Sequence, residues 1–261
     1  MAPFRGPESW VRVFHPSAES ELRLVCFPHA GGSASYFFPW SQALAPGIET
    51  LALQYPGRQD RRADPRPGSV AELADQVFAA LEGLAGGTFA FFGHSMGSVL
   101  AFEVARRFED RTGGGPAHLV ASGYPAPSRL RGGDVHLRGD AGIVEELLAS
   151  GGSDPRGLRD EDMLAMILPP VRDDYRLIEN HPPVPDAVLK CPITMLTGDA
   201  DHHTTREEAA AWRDHTAGEF RLRVFSGGHF FIDPHRDAVL GEISAALKGI
   251  AYSSSGTSEE Q

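Results

Sequence analysis

The stretch that most constrains this chain is Thr88 to Gly97, TFAFFGHSMG, where a short aromatic and apolar run meets the G-x-S-x-G pentapeptide Gly93-His94-Ser95-Met96-Gly97. Helix formers follow from Val99 to Phe108, so the order predicts a strand, a tight turn and a helix. A serine on such a turn is held in a strained backbone conformation that lifts its hydroxyl clear of the sheet. The flanking glycines are needed because a Cβ there would strike the neighbouring strand or helix. Ser95 is therefore read as a nucleophile. The bare pentapeptide also occurs in ordinary turns, and it is the strand before it and the helix after it that carry the reading.

At 261 residues, with 41% apolar and 23% charged side chains, the chain has the composition of one globular domain with a sizeable core. A net charge of -11 repels phosphate backbones, and no dominant basic patch offsets it, so no nucleic-acid partner is expected. The first ten residues, MAPFRGPESW, lack the apolar centre of a signal peptide, and no window reaches bilayer-spanning length. A cytoplasmic protein without a membrane partner is the expectation. Cys26 and Cys191 read as buried small apolar residues rather than a disulfide, and no metal-type cysteine spacing exists.

Trp10–Phe14 alternates, and Leu22–Phe27 resumes a strand after a turn-forming segment, which predicts an opening antiparallel hairpin. Further strands are expected at Thr50–Tyr55, Thr88–Phe92, His118–Ser122, Ile193–Thr197 and Phe220–Phe225, separated by helical patterns. Ser69 to Leu84 is a crossover helix with a Ser69/Glu72 capping box, Thr204 and Glu207 offer a second box, and Asp233-Pro234 opens a last helix. Strands joined by helices imply a mostly parallel central sheet flanked by helices on both faces. Residues 124–190 break the alternation with helical patterns at Ala141–Ala149 and Glu161–Asn180, the second interrupted by Pro169-Pro170, which should kink or divide it. The expected division is a core of 1–123 and 191–250, a helical lid insertion over 124–190, and a polar, disordered tail over 251–261.

A serine nucleophile needs a base, an orienting acid and donors for an oxyanion, and the partners should follow in the chain order serine, acid, histidine. The loop after Thr194–Gly198 carries Asp199 and Asp201, and spacing alone does not separate them as the acid. His229, in a Gly-Gly loop after the last strand, is the best base among eleven histidines, and His94 is given a supporting role at most. His202 and His203 are adjacent and should not present both rings to one point, so no metal site is expected. The oxyanion donors are expected at the backbone N–H of Met96 and, from the loop Phe27-Pro28-His29-Ala30-Gly31-Gly32, of Ala30.

With these residues assembled, the chain resembles the type II thioesterases that accompany modular polyketide and nonribosomal peptide synthases. The resemblance rests on Phe27–Gly32, Leu53-Gln54-Tyr55-Pro56-Gly57-Arg58, Gly93–Gly97, Gly198-Asp199-Ala200-Asp201 and Gly227-Gly228-His229-Phe230-Phe231, in the family's order, from about Arg23 to Leu247. It implies an α/β-hydrolase fold with a helical lid, and it selects Asp201, the last residue of its block, as the acid. It also implies hydrolysis of acyl groups from the phosphopantetheine arm of acyl or peptidyl carrier proteins, removing stalled units, with no cofactor because the arm belongs to the substrate. Tyr55 stands where the family commonly has leucine. The competing readings are a general carboxylesterase or lipase and a noncatalytic binding protein on the same fold.

Two further expectations concern the rim. Met163, Leu164, Met166, Ile167 and Leu168 carry more apolar surface than a solvated helix should, so Met163, Ile167 and Leu168 are expected in the acyl chamber. Arg61 and Arg62, after the Thr50–Tyr55 strand, and Arg129 and Arg131, where the inserted segment begins, are candidates for docking an acidic carrier protein.

Overall fold

The computed structural model describes residues 7–17, 20, 22–84, 88–152 and 155–255. In chain order the elements are α1 (Pro7–Trp10), β1 (Val11–Arg12), β2 (Leu22–Phe27), α2 (Phe38–Leu44), β3 (Glu49–Leu53), α3 (Val70–Leu81), β4 (Thr88–His94), α4 (Met96–Thr112), β5 (Leu119–Ser122), α5 (Asp140–Ser150), α6 (Glu161–Glu179), β6 (Ile193–Gly198), α7 (Arg206–Ala210), β7 (Phe220–Phe225) and α8 (Arg236–Ser255). They form one seven-stranded sheet in the order β1-β3-β2-β4-β5-β6-β7. Every neighbouring pair is parallel except β1 with β3. This is the mostly parallel α/β architecture that the alternating pattern predicts.

Successive residues of the central strands feed two different cores, which is why those strands read as continuous apolar runs. Val25 and Phe27 of β2 and Phe91 of β4 face α3 and α4, packing with Val77, Phe78, Phe102 and Phe108. Leu24, Cys26, Ala90 and Phe92 face the other way, onto Phe37, Trp40, Val239 and Ile243 beside and within α2 and α8. Cys26 and Cys191 are both free and buried.

The expected opening hairpin does not form. β1 pairs antiparallel with β3, Val11 opposite Leu53, because both edges of β2 are already taken by β3 and β4. Ser69 caps α3 by accepting from the Glu72 N–H at 3.1 Å, but the Glu72 carboxylate accepts from the Gly68 N–H rather than from Ser69. The second box falls one residue later than expected. Thr205 and Glu208 close it reciprocally, and the Thr204 hydroxyl is buried without a partner. Asp233 and Pro234 lie in the turns before α8, which starts at Arg236. That helix then runs through Gly249 and on over 251–255, part of the expected tail; residues 256–261 lie outside the described residues.

Between 124 and 190 the described residues hold α5, α6 and single helical turns. α6 is one helix of 19 residues that continues through Pro169 and Pro170 instead of dividing there. Two backbone donors are lost, yet the helix is anchored on either side. Asp160 caps it by accepting from the Met163 N–H, and Leu168, Val171, Asp174, Leu177 and Ile178 bury its second half.

Candidate active site

Ser95 sits between β4 and α4 with φ 56° and ψ −128°, a left-handed conformation costly for a residue with a Cβ. The turn is held from both sides: the Ser95 N–H donates to Ser122 O at 2.7 Å, and the Ser98 hydroxyl donates to Ser95 O at 2.7 Å. A Cβ on Gly93 would stand 2.2 Å from Gly97 O, and one on Gly97 would stand 2.1 Å from Phe27 O. Both contacts are with backbone that cannot yield, so the two glycines are sterically required.

His229, brought in by the loop after β7, is buried, and its Nδ1 lies 3.1 Å and 3.0 Å from the two carboxylate oxygens of Asp201. A carboxylate can only accept, so Nδ1 carries the proton and donates it, leaving Nε2 as the ring's basic atom. The Asp201 carboxylate also accepts from the His203 N–H at 2.9 Å. Asp199, its rival, turns away and accepts from the Gly227 N–H at 2.9 Å, fixing the loop that carries His229.

Two cavities of about 200 and 220 Å³ share Ala30, Ser95 and Tyr175. His229, His29 and Phe230 line the first, and Met96, Tyr124, Glu146, His202 and His203 line the second. The structure thus gathers Ser95, His229, Ala30 and Met96 at one place, with Asp201 behind the histidine. Larger clefts of about 530 and 830 Å³ lie along α6 and at the opposite ends of β5, β6 and β7. Neither includes Ser95 or His229, and chemistry needs the smaller pair.

Histidines crowd this centre. The His94 ring lies 4.9 Å from that of His229, and that of His203 lies 4.4 Å from it on another side. His94 Nδ1 is 3.0 Å from the Ser122 hydroxyl, and its Nε2 is buried without a partner. Burial, reinforced by His229 and His29, pushes His94 well below the usual histidine range. His29 packs between Tyr36, His94 and Phe230, and burial pushes it down to about 3. Neither ring is suited to carry a proton at neutral pH.

The loop after β2 is tied to α6 by a buried ion pair. The Asp174 carboxylate accepts from the Arg58 guanidinium and, at 2.7 Å, from the Gly31 N–H, next to Ala30. Both side chains are buried, and desolvation raises the Asp174 carboxyl against the opposing pull of Arg58. Gly31 has φ 74°, and a Cβ there would stand 2.5 Å from Val171 Cγ2, so α6 lies directly on this loop. Tyr55 is fully buried, donates to Pro28 O at 3.4 Å and does not line either cavity.

Several expected site residues are placed elsewhere. Ile167 lines the cavity with Ser95, but Met163 is 43% exposed, and Leu168, packed with Val135, Ile143 and Val171, lines neither cavity. An unbroken helix turns Ile167, Val171 and Tyr175 to one side, and those three, with Leu147 of α5, form the apolar wall. The spacing of four was legible in the sequence once the proline pair is allowed inside the helix. Asp174 had only a weak signal, as one of the adjacent pair Asp173-Asp174 beside that apolar stripe. Arg61 is not on the rim. It is buried, donates to Asp64 and Gln54 O, and stacks 4.0 Å over the Trp10 ring. Arg131 is exposed but paired with Glu208, whereas Arg62 and Arg129 are exposed. His202 and His203 do present both rings to one point, each Nε2 lying 3.3 Å from Glu146 Oε1.

The sequence matches the thioesterase domain family over residues 22–247. A probable cadicidin biosynthesis thioesterase of Streptomyces griseus is 52% identical over 238 residues, which are 91% of this chain and 66% of that protein. Thioesterase PikA5 of Streptomyces venezuelae is 47% identical over 239 residues, 91% of this chain and 85% of its own length. Among solved structures, the type II thioesterase BorB from the borrelidin biosynthetic cluster superposes with a TM-score of 0.85 at 46% identity, covering 92% of this chain and 98% of that one.

Proposed function

The chain belongs to the thioesterase family, and from that premise we propose that it is a type II serine thioesterase. It hydrolyses acyl groups from the phosphopantetheine arm of acyl or peptidyl carrier proteins, clearing stalled units from a polyketide or nonribosomal peptide synthase in the cytoplasm. The observation that carries this reading is Ser95, held at positive φ on the rim of the cavity that His229 lines, with His229 donating to Asp201.

In the mechanism, His229 Nε2 takes the Ser95 proton as the hydroxyl oxygen attacks the thioester carbonyl, and the Asp201 carboxylate stabilises the imidazolium that forms. The oxyanion is received by the backbone N–H groups of Ala30 and Met96, the first positioned by the Asp174 bond to Gly31. The carbon–sulfur bond breaks, and His229 returns its proton to the departing thiolate. Water, deprotonated by the same nitrogen, then attacks the Ser95 ester, releasing the carboxylic acid and restoring the serine. No cofactor takes part, since the pantetheine thiol is the substrate's. Residues 124–190 act as a lid whose α5 and α6 form the acyl wall.

A fluorophosphonate probe should label the wild-type chain and not Ser95→Ala, and an acylated carrier protein should be hydrolysed faster than an oxygen ester of the same acyl group. Labelling with preference for the oxygen ester would instead make the protein a carboxylesterase. Absence of labelling would make it a binding protein on this fold.

A further inference from the structure

Glu146 of α5 and the adjacent His202 and His203, on the loop after β6, converge on one point. The two Nε2 atoms and a Glu146 carboxylate oxygen all lie within 4.8 Å of one another, and each nitrogen is 3.3 Å from Oε1. The imidazole centroids are 4.0 Å apart with planes tilted by 39°, and both Nε2 atoms face Glu146 Oε1. Two imidazoles and one carboxylate are the ligand set of many zinc sites, and ligands at about 2.0–2.2 Å from a tetrahedral ion stand about 3.3 Å apart. The two distances to Oε1 match that value.

The surroundings fit the same purpose. Glu146 Oε2 accepts from Arg138 Nη1 at 3.0 Å, which orients the carboxylate and leaves Oε1 for the ion. The Ser150 hydroxyl, 3.0 Å from His203 Nε2, can turn to a metal-bound water. Glu146 and His203 are mostly covered, whereas the His202 side chain is 46% exposed and gives an ion its way in. A net charge of -11 favours the approach of a divalent cation.

We propose that Glu146, His202 and His203 bind Zn²⁺, and that the bound ion inhibits the enzyme by fastening α5 to the loop that carries Asp201 across the cavity of Ser95. All three ligands line that cavity together with Ser95 and Met96. A metal there bridges the inserted helices and the sheet, and occupies the path of the substrate arm. Asp199 and Asp201 are not ligands, since their carboxylates are engaged by Gly227 and His229.

The test begins with wild-type protein stripped of metal by a chelator. Titration with Co²⁺ should give the intense visible bands of a four-coordinate site, and Zn²⁺, measured against a chromophoric chelator, should bind at one equivalent. His202→Ala should weaken Zn²⁺ by at least ~100-fold, as loss of a ligand costs no less than loss of its supporting contacts. Glu146→Gln provides a second variant with the same expectation. Saturating Zn²⁺ should abolish hydrolysis of a small acyl-pantetheine thioester, a chelator should restore it, and His202→Ala should keep its activity at the same Zn²⁺ concentration. No binding to wild type, equal affinity in His202→Ala, or binding without loss of hydrolysis would each overturn the proposal. Only the hydrolysis measurement rests on the thioesterase reading; a wild-type chain that hydrolyses no thioester would defeat that reading, and the Co²⁺ and Zn²⁺ titrations would still judge the site.

Discussion

At the scale of single residues, Asp199 and Asp201 lie two positions apart on one loop, yet one accepts from the Gly227 N–H and the other from the His229 ring. Spacing could not separate them, because the direction of each side chain depends on where the β7 loop arrives. Replacing Ser95 or His229 by alanine is expected to lower kcat by about 10⁴-fold or more, and Asp201→Ala somewhat less, because an orienting carboxylate matters less than the atoms that move. Asp199→Ala should cost far less than Asp201→Ala; steady-state kinetics showing the reverse order would remove Asp201 from its role. His29 supports a second expectation, about pH. Its pKa falls from 6.5 in the unfolded chain to about 3 in the fold, so its contribution is fully present above about pH 6.5. As pH drops towards 3 the unfolded state takes up the proton first, and by pH 5 stability has fallen by about 2 kcal/mol on this account. Denaturant titrations at pH 7 and pH 5 should show that drop shrinking by about the same amount in His29→Leu, and an identical drop in both proteins would contradict it.

At the scale of elements, the strands and most helices were legible because apolar period and turn residues agree locally, and β7 spans Phe220–Phe225 as the alternation predicts. The opening hairpin was not, since which strand β1 joins depends on edges that only the assembled sheet defines. α6 was misread for another reason. Two prolines argue locally for a break, while burial of Val171, Leu177 and Ile178 and the Asp174–Arg58 pair favour one continuous helix. That continuity makes two measurable statements. Asp174→Ala strands a buried guanidinium and should destabilise the fold by about 3–5 kcal/mol in denaturant titrations; a change within experimental error would mean that the pair is not needed. Tryptophan at Ile167 or Val171 should shift kcat/KM towards shorter acyl chains in a series of acyl-pantetheine thioesters, and tryptophan at exposed Met163 should not. Equal selectivity in all three would place the acyl group outside this wall.

At the scale of the whole molecule, the proposed function sets an electrostatic problem, because a chain of net charge -11 would be repelled by an acidic carrier protein. Four arginines were candidates for offsetting this, and composition could not tell a solvated guanidinium from a structural one. Arg61 is fixed inside the body against the Trp10 ring, and Arg131 is engaged by Glu208, which leaves exposed Arg62 and Arg129. Both follow the carboxyl ends of strands, β3 and β5, on the side of the sheet where Ser95 stands. An exposed charge at that rim acts on encounter rather than on chemistry, so its effect should be read in KM and in the salt dependence. Reversal of both, Arg62→Glu with Arg129→Glu, should raise KM for an acylated carrier protein several-fold at low ionic strength and flatten the response to added salt. Hydrolysis of a small acyl-pantetheine thioester should be unchanged, because neither side chain lines the cavities at Ser95. Equal loss on both substrates would locate the damage in the active site, and unchanged kinetics on both would move carrier docking to another face. Arg61→Glu supplies the contrast: burying a carboxylate against Trp10 and Asp64 should lower thermal stability before it alters KM.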